Sequence, residues 1–143
     1  MKVYYSARRV VQGMMMSAER KVILLDMITF AKERRKLTVG EGIMTLSGAT
    51  GFYDSESQIE EWEMSRKMYE YLMRLSFEDV KFVQTVMYMG RDETLEDGGD
   101  AVSLYNEVYS SLSWTAQDVE AEMIVEKMPL DEYLSRGLEL MAA

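Results

Sequence analysis

The stretch from Leu75 to Glu93, LSFEDVKFVQTVMYMGRDE, constrains this chain more than any other. Val80, Phe82, Val83, Val86, Met87 and Met89 leave it almost no polar face. A helix that is apolar nearly all round must have other elements packed on most of its sides. Ser76, three residues ahead of Asp79, suits its start, and Gly90 suits a left-handed exit. Lys81, Gln84, Thr85 and Tyr88 form its one polar stripe. The expectation is a mainly all-α fold, a bundle of five to six helices around this buried central one.

The rest of the chain supplies the covering helices. Ser17 to Arg35 reads as a long helix, with Lys21, Leu24, Leu25, Ile28, Ala31 and Arg35 near one face and Val22, Ile23, Met27 and Phe30 widening it. Its end carries Lys32, Arg34, Arg35 and Lys36, which would complement the negative end of the helix dipole. Gly40 to Gly51 holds four glycines and reads as a loop, with room for a small β-hairpin near residues 43–53, from Ile43–Leu46 and Phe52–Tyr53. Ser55 and Ser57, each three residues before Gln58 and Glu60, announce a helix whose buried stripe is Trp62, Tyr69, Leu72 and Leu75, with Ile59 and Met68 beside it. The short turn at Ser76 predicts a helical hairpin between that helix and the central one.

Beyond an acidic turn, Ala101, Leu104, Tyr105, Val108 and Leu112 make a further amphipathic helix. Thr115 with Asp118 can cap the next, which carries Val119, Met123 and Ile124 inward. Pro129, the only proline, marks a break or a first-turn position, and Leu130, Tyr133, Leu134, Leu138 and Met141 then follow a helical stripe. Gly137 inside that stripe implies close helix approach or a tolerated weak point. Residues 1–143 read as a single domain, in which residues 1–16 mix strand-like and helix-like patches and receive no assignment.

Composition removes much familiar chemistry. There are no cysteines, hence no disulfide, thiolate metal site or Cys nucleophile, and no histidines, which takes away the commonest general base and transition-metal ligand. The Gly40–Gly51 segment lacks the Lys–Ser/Thr pair of a phosphate-binding loop, and the acidic turn lacks the register of a calcium-binding hand. No residue is put forward as catalytic, cofactor-binding or metal-ligating, and no cofactor is expected. No segment reaches the roughly 20 apolar residues of a membrane span, and no apolar run of signal-peptide length opens the chain, so a cytoplasmic protein is expected. The fourteen methionines suit irregular core gaps or an adaptable binding surface.

Two stretches resemble an uncharacterised bacterial helical domain family of unknown function. One is the apolar helix that ends Met89–Gly90–Arg91–Asp92, and the other is MPLDEYLSRGLEL, where Pro129, Leu130, Tyr133, Leu134, Gly137 and Leu138 carry the match. The Ser17–Arg35 helix is similar in place and character to that family's first helix. The chain departs from the family pattern in having no His before the Pro segment and in placing Tyr88 near a Trp position. The resemblance implies a compact helical fold and brings no activity with it.

Charge is what bears on function. Residues 1–36 carry nine Lys/Arg against three Asp/Glu, whereas residues 37–143 carry seven against twenty-two. The candidate interaction residues are therefore the basic run Lys32, Arg34, Arg35, Lys36 and the acidic turn Arg91, Asp92, Glu93, Glu96, Asp97, Asp100. Arg91 is expected to bond the nearby carboxylates or helix-end carbonyls. The leading expectation is a non-enzymatic module that binds a protein partner: a small acidic regulator or inhibitor of the phage or mobile-element anti-defence type, anti-CRISPR-like, with mimicry of nucleic-acid charge as one form. The alternative is a nucleic-acid binder using the basic N-terminal region, and the further alternative a small enzyme with a Tyr/Arg/carboxylate site.

Overall fold

The computed structural model describes residues 16–46, 55–94 and 99–142. Over these the fold is all-α, with six helices: α1 (Ala18–Leu46), α2 (Ser55–Arg74), α3 (Phe77–Asp92), α4 (Ala101–Ser111), α5 (Gln117–Val125) and α6 (Leu130–Ala142). Most of the N-terminal segment left unassigned, and the Phe52–Tyr53 half of the expected hairpin, lie outside the described residues. Its other half is corrected, because Ile43–Leu46 is the last turn of α1. That helix runs through Gly40 and Gly42 rather than ending at Arg35. A glycine inside a helix costs only about 1 kcal/mol relative to alanine, so two of them do not have to end it.

α3 is the buried centre. Between Val80 and Gly90 only Lys81 and Tyr88 reach solvent, and both are half-buried. Gln84 and Thr85 of the expected polar stripe are as buried as the apolar residues. The Ser76 hydroxyl accepts the Asp79 amide at 3.1 Å and caps the start as expected. The exit differs. The helix passes through Gly90 to Asp92 and ends on Glu93, whose amide donates to the Met89 carbonyl.

Gly90 is needed for a different reason. A Cβ built there would overlap the Tyr133 carbonyl oxygen and lie 2.6 Å from the Gly137 amide nitrogen. A Cβ on Gly137 would overlap the Val86 carbonyl and lie 2.7 Å from its Cγ1. α3 and α6 thus cross backbone on backbone, and small residues are what permit so close an approach. Gly137 is the close-approach glycine. Leu130, Leu134 and Met141 are buried along the predicted stripe of α6.

The expected hairpin of α2 with α3 does not form as the main packing. α2 lies against α1 and α5, and α3 against α6, α4 and α5. Two residues, Leu75 and Ser76, separate the helices, and Ser76 is extended, so the chain turns a corner instead of folding back. Gln117 of α5 plugs that corner, its amide donating to the Leu72 and Leu75 carbonyls at 3.2 and 2.7 Å. α1 is also rotated from the expected face. It buries Ile23, Leu24, Met27, Ile28, Ala31 and Arg34, and leaves Lys21, Val22 and Leu25 outside. Met27, Met68, Met87, Met89 and Met141 fill the core, as flexible thioethers suit gaps between helices crossing at several angles.

Candidate functional site

The basic run lies in the middle of α1, so it does not serve that helix's dipole. Arg34 falls on the inward period with Met27 and Ala31 and is 3% exposed. Its guanidinium donates to the Val125 carbonyl at 2.6 Å, the Lys127 carbonyl at 3.1 Å and the Ser65 hydroxyl at 3.1 Å. It thereby caps the C-terminal end of α5 and ties α1 to α2. Burial pulls its pKa below the ordinary arginine value, while Glu61 and Asp131 push it back up. Arg35 pairs with Asp131 at 3.2 Å and Glu132 at 2.7 Å, the two acids of the first turn of α6. Lys32 and Lys36 of the run are exposed. Arg34 is therefore corrected from an interaction residue to a buried cap.

The acidic turn is similarly committed. Arg91 grips Asp92 through two hydrogen bonds of 2.8 Å, and its guanidinium lies 4.7 Å from the centre of the Tyr88 ring. The bond raises the pKa of Arg91 and holds that of Asp92 below its ordinary value. Arg91 thus bonds a neighbouring carboxylate, as expected. The Glu93 carbonyl accepts from Arg136 of α6 at 3.1 Å. Asp100 is the N-cap of α4, accepting from the Ser103 amide and hydroxyl at 2.9 and 3.0 Å. Glu96 and Asp97 lie outside the described residues. Among the described residues the two charged groups do not converge on one site, since Arg35 meets the first turn of α6 and the Glu93 carbonyl meets Arg136 further along it.

A surface absent from the candidate residues is the more open one. Trp62, placed by periodicity in the buried stripe of α2, is 60% exposed, and Ile59 is also exposed. Met68 and Leu72 are fully buried and Met64, Tyr69 and Leu75 pack half-buried against the core, whereas Ile59 and Trp62 face outward. Between α2 and the end of α5 runs a cleft of about 640 Å³, walled by Trp62, Tyr69, Val125 and Met128 with Arg34 and Ser65 at its base. Met128 is 49% exposed. Arg66 lies 5.6 Å from the Trp62 ring and pairs with Glu70 at 3.0 Å. The opposite rim carries Glu122 and Glu126. By bonding the Val125 and Lys127 carbonyls, Arg34 positions the chain that carries Met128. The signal in the sequence was a Trp within a run of glutamates, Glu60–Glu61–Trp62–Glu63.

Ser65, Arg66, Tyr69, Glu122 and Glu126 also line the cleft. The deepest carboxylate, Glu120, is 1% exposed and is closed in by Gln84 at 3.2 Å and by the Thr115 amide at 2.8 Å. That last bond also corrects the expected Thr115–Asp118 cap, since Ala116 is the N-cap and Glu120 satisfies the preceding amide. Val119, expected inward, is exposed, and Ala121 takes its place beside Ile124. Among the described residues no three His, Cys, Asp or Glu side chains are arranged to hold a metal ion, and no helix is long and apolar enough to cross a membrane. No protein-family model, curated protein or solved structure matches the chain.

Proposed function

We propose that the chain works by binding another protein through the Trp62–Met128 cleft. The observation that carries this reading is a tryptophan held 60% in solvent beside an exposed methionine, over a cleft the size of a ligand or helix groove. Burying a tryptophan and a methionine contributes several kcal/mol to an association, at about 25 cal/mol per Å² of apolar surface, and Trp is the residue type most enriched at interface hot spots. The regulator or inhibitor role expected from composition is the form of binding this face suits, because occupying a partner requires no chemistry from the occupant. The nucleic-acid alternative has less support, since Arg34 is bonded internally and Arg35 is paired with two acids. An enzymatic site around Arg91 has less still, since Arg91 and Asp92 are spent on each other.

The test is affinity capture from the native cell lysate with wild-type protein and with a W62A/M128A double variant, both checked for folding. A protein recovered reproducibly by the wild type and lost by the variant supports the reading. Equal recovery by both, or recovery of nucleic acid alone, contradicts it.

A further inference from the structure

We propose that the groove where α1 meets the start of α6 binds a small amphipathic anion, an aryl carboxylate whose ring enters an apolar pocket and whose carboxylate meets the basic run. The pocket, of about 210 Å³, is walled by Ala31 of α1 and by Met128, Pro129 and Leu130 where the chain enters α6. An apolar cavity of about 150 Å³ takes one benzene ring, so this one has room for a ring and a short link. Arg34, Arg35 and Asp131 complete its lining. Arg35 and Asp131 also line an adjoining space of about 390 Å³, whose other walls are Lys32 and Lys36. The fold thus sets the basic run beside an apolar pocket, with two residues common to both.

The sign of the ligand's charge follows from the lining. Lys32, Arg34, Arg35 and Lys36 stand against one carboxylate, Asp131, which Arg35 holds at 3.2 Å. Glu132 adds a second negative charge from outside the lining through its 2.7 Å contact with Arg35. Cations still outnumber carboxylates by two, on a molecule whose net charge is −9. Glu33, on the same helix, is exposed and lines neither space. Lys32 and Lys36 are one helical turn apart and both exposed, so their ammonium groups can reach one carboxylate at the pocket mouth. A neutral or cationic head meets no partner there, and a bare anion leaves the pocket unfilled. The Trp62 cleft shares Arg34 and Met128 with this pocket, but its lining sets Arg66 beside Glu122 and Glu126 and so has no excess of positive charge.

The experiment titrates isotope-labelled protein with hydrocinnamate, its amide, phenylpropylamine and acetate, each to about 10 mM at low salt, and follows the backbone amide signals of Ala31 and Leu130. Wild type is compared with K32Q/K36Q and with W62A, substitutions at exposed positions, each checked for folding. Hydrocinnamate should shift both signals and bind wild type about fivefold more tightly than its amide and at least about tenfold more tightly than the amine. K32Q/K36Q should lose about fivefold for the carboxylate and leave the amide unchanged, W62A should change neither, and added salt should weaken the carboxylate alone. Equal binding of carboxylate and amide, or carboxylate binding unchanged in K32Q/K36Q, overturns the anionic head. Acetate binding as tight as that of hydrocinnamate overturns the apolar pocket and leaves a surface ion contact. Loss of hydrocinnamate binding in W62A places the ligand in the other cleft and overturns the site. Signals of Ala31 and Leu130 that do not move with about 10 mM hydrocinnamate overturn it outright.

Discussion

The α3–α6 crossing and the α2–α5 cleft are opposite solutions to the meeting of two helices. At the crossing, Gly90 and Gly137 remove side chains altogether, and the backbones of the two helices touch each other's atoms. At the cleft, large side chains, Trp62, Tyr69 and Met128, stand on facing elements without closing the space between them. Both regions border the same core, and α1 packs on α2 and α6 alike. The difference teaches where the chain has spent its packing. The crossing has two small residues whose only visible use is contact, while the cleft has two exposed apolar side chains whose contact within the fold is incomplete. Arg34 sits between these regimes, buried like a core residue yet lying at the base of the cleft.

The comparison can be broken most forcefully at the crossing. G137A and G90A each force a methyl group into backbone atoms that cannot rotate away, a form of overpacking that costs about 3 kcal/mol or more where the main chain has to move. Urea unfolding of each should show a loss of at least that size, or no cooperative transition. A loss below about 1 kcal/mol would mean that the helices separate cheaply and that the crossing does not organise the fold.

The next effect belongs to Arg34. R34M keeps the length and loses the three hydrogen bonds to Val125, Lys127 and Ser65. Buried acceptors left without donors cost about 1–3 kcal/mol each, reduced here because water can enter from the cleft, so a loss of about 2 kcal/mol is expected in the same assay. R34K, which keeps the charge and loses the planar fork, should recover less than half of it.

A smaller effect sharpens the comparison on the closed side. Tyr105 is buried beside Phe82, and burial pushes its hydroxyl from 10.0 up to about 12, against an opposing pull from Arg20. The folded state therefore keeps this proton over a range in which the unfolded chain has released it. With fewer protons bound unfolded than folded, stability falls as pH rises, fully retained below about 10 and lost progressively toward 12. Y105F should flatten part of that alkaline decline in stability measured by thermal unfolding across the range. Tyr71, raised also by burial and by its 2.7 Å bond to Asp26, keeps the remainder. An unchanged decline in Y105F would place the titrating group elsewhere.

The smallest effect on stability is expected at the cleft. W62A should change unfolding free energy by less than about 1 kcal/mol, as a substitution at a mostly exposed position does.

Much of the closed side is legible in the sequence. The buried character of α3, its Ser76 cap and the stripe of α6 follow from periodicity and capping chemistry, which are local. The meaning of the glycines is not. Gly40 reads as a breaker and is helical, Gly90 reads as a helix exit and is a contact, and only Gly137 was open to the close approach it makes. A missing side chain has the same local signature in all these roles, and only the partner backbone distinguishes them. The cleft was hidden for a related reason: periodicity cannot tell whether an apolar residue on a helix meets a neighbour, so Trp62, Ile59, Val22 and Leu25 were placed inside although their faces are open. The charged candidates failed by the opposite route. Arg34 looked like surface by its charge, yet its place on the Met27–Ala31 period pointed inward, and α5 offered carbonyls for it to cap.

The central claim is that Trp62 is kept for a partner and not for the fold. It is tested most directly by the emission of Trp62 in a W114F variant, where it is the one remaining tryptophan and where phenylalanine preserves the ring contact with Tyr109. The account predicts solvent-exposed emission, readily quenched by acrylamide, in the free protein, and a blue shift with protection from quenching when the captured partner is added. Emission of a buried tryptophan in the free protein, or no change in the emission of Trp62 with the partner bound, would contradict it.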